Sequence, residues 1–198
     1  ACAPYRRLSL CNKNMEKIAT STAKHDLLVD VCMAANYEAQ SLIRYHDKHE
    51  LTNEGSQLCT VLARSFADIG DIVRGKDLYH GKKKEGKQKE KKEENLKKIF
   101  ENIYEELKGA KTRYEGDKNN NFFKLREDWW NANRDQVWKA LTCGDKLSNY
   151  KYFRATCSDR RGEAQAKNKC RCEGAKYCPH IFRLRANSFF AGLKKWGR

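Results

Sequence analysis

Apolar residues recur along this chain at steps of three and four, and these steps divide it into helix-length segments. The sharpest is Leu125 to Cys143, LREDWWNANRDQVWKALTC. Within it Leu125, Trp129, Asn133, Val137 and Leu141 fall at steps of four, flanked by Trp130 and Trp138. Such spacing turns one helix face to a core, and tryptophans give that face a large area to bury. Glu127 and Asp128 stand early and Lys139 late, the order a helix dipole favours. The segment reads as the central helix of a helical domain, tied down at its end by Cys143.

Three more stripes share this period. The first runs from Ala23 to Tyr45 through Leu28, Val31, Cys32, Ala35, Leu42 and Ile43. After a break at Asn53-Glu54-Gly55, the second passes through Leu58, Val61, Leu62, Phe66, Ile69, Ile72 and Val73, with Gly75 as its expected stop. The third starts at Asn95, includes Leu96, Ile99, Phe100, Ile103 and Leu107, and closes at Gly109. Between the second and third, residues 82–98 hold nine lysines and four glutamates, interrupted by Gly86. That stretch reads as an exposed loop, as does the polar run from Glu115 to Asn121. Phe182, Ala186, Phe189, Leu193 and Trp196 repeat the helical step near the end. Four amphipathic segments imply a bundle around a shared core. Long alternating runs are missing, and 2 prolines with 12 glycines are too few for a turn-rich sandwich. The expected class is all-α.

Nine cysteines change the picture: Cys2, Cys11, Cys32, Cys59, Cys143, Cys157, Cys170, Cys172 and Cys178. So many in one chain point to disulfides in an oxidising compartment. The odd number leaves at least one thiol free or paired elsewhere. Cys32 points inward on its stripe, as a buried bridge or a buried thiol. Zinc is the alternative, because Cys170, Cys172, Cys178 and His180 supply a Cys3His set. Their intervals match neither a finger nor a ribbon, so disulfides are favoured and no metal is expected. His46 and His49 are spaced to share a metal but lack a third ligand at helical spacing. Gly70, Gly75 and Lys76 imitate a phosphate loop. Asp77 replaces the required hydroxyl, and the preceding residues are helical, which excludes a nucleotide site. No acid pair or nucleophile–base arrangement supports an enzyme, and no cofactor is expected. No stretch of about 18 apolar residues is present for a membrane span, and no signal peptide opens the chain. An extracellular domain of this kind reads as an excised fragment.

The net charge of +15 is concentrated at one end. Residues 1–110 carry 20 Lys/Arg against 17 Asp/Glu, whereas residues 146–198 carry 14 against three. Such a field attracts polyanions: sulfated glycans, sialylated surfaces or nucleic acid. Nucleic acid requires interleaved aromatics or a reading helix. Tyr150, Tyr152 and Phe153 are the candidates, but the cysteine content argues against that compartment. Arg6 and Arg7 either contact a ligand or brace the acidic end of a neighbouring element.

Several stretches resemble one family. CAPYRRLSLCNKN, DLLVDVCMAANYEAQSL, CTVLARSFADIGDIVRGKDLY, LREDWWNANRDQVWKALTC and YFRATC followed by KCRC look like a Duffy-binding-like domain. The similarity is greatest to the alpha type found in the erythrocyte membrane protein 1 adhesins of Plasmodium falciparum. It implies a disulfide-rich helical fold of three subdomains: residues 1–20 ending the first, 21–156 forming a four-helix second, and 157–198 starting the third. It also implies partners for Cys2 and Cys11 ahead of Ala1. After Cys172 the family's aromatic, acidic stretch is replaced by the basic CPHIFRLRANSFFAGLKKWGR, which a shifted reading frame would explain.

Functionally, the resemblance implies an adhesin domain outside the infected erythrocyte, within a larger membrane-anchored protein. It implies rosetting ligands: heparan sulfate-like glycans, blood-group sugars or complement receptor, besides neighbouring adhesin domains of the same chain. Lysine and arginine suit sulfates as they suit phosphates. The candidate receptor contacts are Arg6, Arg7, Lys82, Lys83, Lys84, Lys87, Lys89, Arg160 and Arg161.

Overall fold

The computed structural model describes residues 5–16, 18, 23–50, 58–79, 83–107, 109–152, 155–159, 162–166 and 168–172. A short helix α1 (Tyr5–Leu8) leads to four long ones: α2 (Ala23–Glu50), α3 (Leu58–Arg74), α4 (Lys83–Glu105) and α5 (Phe123–Leu141). Two short strands follow, β1 (Ala155–Asp159) and β2 (Gly162–Gln165). The fold is therefore helical, with one addition to the all-α expectation. The strands pair antiparallel as an isolated two-stranded ribbon with Cys157 opposite Ala164. Cross-linking supports the ribbon, since two strands alone bury too little to stand.

α5 occupies the place its pattern predicts. Leu125, Trp129, Asn133, Val137 and Leu141 are all buried, with Trp130 beside them. α2 packs on α5, α3 and α4 through Leu28, Val31, Cys32, Ala35 and Ile43. The Phe100 ring of α4 meets Trp129 edge-on at 6.1 Å, and Phe66 of α3 lies 5.1 Å from Trp130. Gly70 makes the second contact possible, because a Cβ there would lie 2.7 Å from the Trp130 ring. The mock phosphate loop is thus a packing site. Gly75 ends α3 with φ of +73°, a conformation that suits glycine.

The start of α5 is capped from a distance. Asp117, buried, accepts from the backbone N–H of Lys124 at 3.1 Å and of Leu125 at 2.9 Å. A carboxylate there satisfies two otherwise orphan donors and meets the positive end of the dipole. The loop 115–121 is accordingly wound into tight turns rather than left open.

Two expectations are corrected here. Residues 83–98 form the first turns of α4, not a loop. Lysine, glutamate and glutamine are good helix formers, and one interior glycine costs only about 1 kcal/mol. Inward lysines anchor these turns. Lys89 Nζ donates to the carbonyls of Asp77 (2.6 Å) and Tyr79 (2.7 Å), and Lys92 Nζ donates to Asn12 (2.7 Å). Likewise, α2 runs on to Glu50, beyond its expected end at Tyr45.

Candidate receptor-binding surface

The cysteines define the frame. Cys59 on α3 is bonded to Cys170, 111 residues away, and Cys157 on β1 is bonded to Cys172. Cys143 is also disulfide-bonded. Cys170 and Cys172 are thereby removed from any Cys3His zinc set, and no cluster of metal-ligating residues exists among the described residues. Cys32 is a buried free thiol, the second of its two readings, and Cys11 forms no disulfide within this chain, which leaves open the partner expected for it ahead of Ala1. Burial pushes the Cys32 thiol up to about 12. Burial and then the Glu38 carboxylate raise that of Cys11. Cys2 and Cys178 lie outside the described residues. So do the basic stretch 173–198 and its proposed frame shift.

The candidate contacts separate according to their partners. Arg6 pairs with Asp68 at 2.9 Å. Arg7 pairs with Asp77 and lies over the Tyr79 ring. Both thus brace α3 and the segment after it, and Arg7 keeps only 14% of its side chain exposed. Lys89 faces the same cluster from α4. Lys87, by contrast, is exposed and forms no ion pair with any described residue. Lys83 and Lys84 occupy the first turn of α4. Lys82, Arg160 and Arg161 lie outside the described residues.

Folding these residues as a helix also sets beside the candidate Lys87 cations that the loop reading passed over, Lys91 and Lys98. Lys87, Lys91, Glu94 and Lys98 are all exposed and follow one another at steps of four, three and four. They therefore lie along one side of α4 with a rise of roughly 6 Å per four residues. Glu94 is engaged by Lys98 at 3.0 Å, which leaves Lys87 and Lys91 as unneutralised charges. The signal was present in the sequence as a helical period of lysines, hidden by their density.

Several other surface cations are internally matched. Lys76 and Arg74 both reach Glu127, at 2.6 and 3.3 Å, and hold its carboxyl below the usual range. Arg113 pairs with Asp128 at 3.1 Å, and the Tyr114 hydroxyl donates to the same carboxylate at 2.9 Å. Burial, reinforced by Asp128, pushes the Tyr114 phenol up to about 12.

The structure is thus a cross-linked helical bundle with two exposed lysines, Lys87 and Lys91, free of ion pairs to described residues on one side of α4. The comparisons with known proteins agree. The Duffy binding domain family matches residues 1–183, and the chain belongs to that family. It is similar to the crystal structure of the NTS-DBL1α domain of Plasmodium falciparum membrane protein 1 from the varO strain, at 35% identity and a TM-score of 0.68. That match covers 99% of this chain and 43% of the other. The Duffy receptor beta form of Plasmodium knowlesi is 25% identical over an alignment of 162 residues, and the match covers 75% of this chain and 12% of the relative. The chain therefore spans a minor part of both, and it is a Duffy-binding-type domain related to Plasmodium adhesins.

Proposed function

We propose that this domain binds receptors on host cells as part of an adhesin displayed outside the infected erythrocyte, and that the α4 lysine side takes a sulfated, heparan sulfate-like glycan. Family membership supports the receptor-binding role. The disulfides fit an oxidising exterior. The observation that carries the ligand class is the exposed Lys87–Lys91 pair, one helical turn apart and without ion-pair partners among the described residues. Cations in such a row meet successive anionic groups of a polymer without first giving up a partner. Attraction of this kind acts over a Debye length of about 8 Å at physiological salt, so it responds strongly to salt.

Heparin affinity chromatography tests the reading. Lys87→Glu with Lys91→Glu is expected to elute at clearly lower salt than the parent chain. Lys89→Gln, whose lysine is bound internally, is expected to elute with the parent. Unchanged elution of the double variant overturns the α4 assignment.

A further inference from the structure

We propose that the pocket between α3, α5 and the segment around Cys170 is a second ligand site, shaped for one pyranose ring carrying a single anionic group. The proposal rests on the reading of this domain as a glycan binder but is independent of α4. The cavity measures about 310 Å³ and is lined by Phe66, Trp138, Tyr152, Arg134, Lys139 and Cys170, among others. That is the lower end of the range for small-molecule sites, so it accommodates a ring rather than a chain.

Its walls have the chemistry of a sugar site. Phe66, Trp138 and Tyr152 are each half-buried, with part of each in the core and part lining the cavity. Phe66 and Trp138 meet edge-on at 5.2 Å, which fixes the Trp138 ring. A fixed aromatic surface suits the C–H face of a pyranose, which is apolar while its hydroxyls are not. Arg134 stands at the rim, exposed and without an ion pair to any described residue. Its planar fork matches a carboxylate or sulfate. Lys139 is held only loosely, 3.7 Å from Asp135. Below them Arg171 is buried and held in place, donating to Thr142 Oγ1 and the Lys139 carbonyl, both at 2.6 Å, and to Cys143 Sγ at 3.8 Å. An anion in the pocket would lie beside Arg134 and Lys139, with the exposed Asp135 carboxylate on the same wall restricting where its charge can sit.

The backbone beside the pocket is unusual. Asn168, Lys169 and Cys170 have successive φ values of +56°, +55° and +53°. Left-handed conformations are unfavourable for such residues and persist where the surroundings impose them. Here the Cys59–Cys170 disulfide and Lys169, which donates to Asp145 at 2.9 Å, hold the turn. The Lys-Cys-Arg-Cys stretch is thereby shaped into a pocket wall.

Saturation-transfer NMR on the full chain tests this with three probes: methyl glucuronide, methyl glucoside 6-sulfate and neutral methyl glucoside. Contact is expected from at least one anionic probe, at least fivefold tighter than the neutral one. The choice between the two anions identifies carboxylate or sulfate. Arg134→Glu is expected to abolish it while leaving both thermal unfolding and heparin elution unchanged. Equal response to all probes, no response, or anionic binding that survives Arg134→Glu overturns the site. The α4 variants are expected to leave probe binding intact, so failure of one site is distinguishable from failure of the other.

Discussion

Arg126 Nη2 meets Glu93 Oε2 at 3.0 Å across the α4–α5 interface, and the arginine side chain is fully buried. The same guanidinium donates to the carbonyls of Val73 (2.7 Å) and Ile72 (3.1 Å) at the end of α3. One side chain thus joins three helices. Removing one partner of a buried pair leaves the others unsatisfied, at a cost of about 3–5 kcal/mol. Arg126→Met is expected to lose that much in urea unfolding. Glu93→Gln, which keeps a hydrogen-bonding group at the partly exposed end, is expected to lose less.

Two glycines separate steric from conformational cost. Gly70→Ala places a methyl against the Trp130 ring and is expected to destabilise by about 1–3 kcal/mol, as overpacking does. Gly109 has a φ of +74° but open space around it. Gly109→Ala is expected to cost about 1–2 kcal/mol from the left-handed backbone alone. Tryptophan fluorescence of the native states should change only for the first.

The disulfides differ in reach, hence in their effect on the unfolded chain. Cys59→Ser with Cys170→Ser opens a link across 111 residues, and about 5 kcal/mol of stability is expected to go with it. The Cys157–Cys172 pair encloses far less chain, with an expected loss of about 3 kcal/mol. Denaturant midpoints of the two double variants should rank in that order.

Alkaline stability has an identified origin. Cys32 and Tyr114 hold their protons up to about 12 in the folded chain, against ordinary values of 9.0 and 10.0. A group whose folded pKa is raised stabilises the fold below its unfolded pKa and loses that contribution as pH rises through the folded one. Thermal stability is therefore expected to fall between pH 9.0 and about 12. Cys32→Ala should remove the cysteine part of that slope. Alkylation of Cys32 in native protein should be negligible at neutral pH and complete on unfolding.

The lysines of α4 divide between support and surface. Lys89→Met removes two hydrogen bonds from a charged donor and is expected to cost about 1–3 kcal/mol. Lys87→Met, at an exposed position without a partner among the described residues, is expected to change stability by at most about 0.5 kcal/mol. Parallel denaturation curves settle the contrast.

Much of the bundle was legible because burial imposes a period. The α5 stripe from Leu125 to Leu141 and the α3 stripe ending before Gly75 are each determined by local spacing. α4 was legible only in its second half. Its first turns carry no apolar stripe, and their helicity rests on Lys89 and Lys92 reaching Asp77, Tyr79 and Asn12. Arg6 and Arg7 read as possible ligand contacts because a charged pair gives no sign of which acid will face it. The fold supplied Asp68 and Asp77.

By itself the sequence determined the helical period, the placement of the tryptophan-rich helix and the oxidising character of the cysteines. Its long motifs also carried the resemblance to the Duffy-binding-like family. Each depends on residue type at short range. Tertiary structure alone decided which thiols pair, which acid caps α5, which cations are neutralised and which remain free, because those outcomes depend on residues far apart in the chain. The separation of Lys87 from Lys89 belongs to that second group: two neighbouring lysines of identical chemistry, divided only by the direction in which a helix turns them.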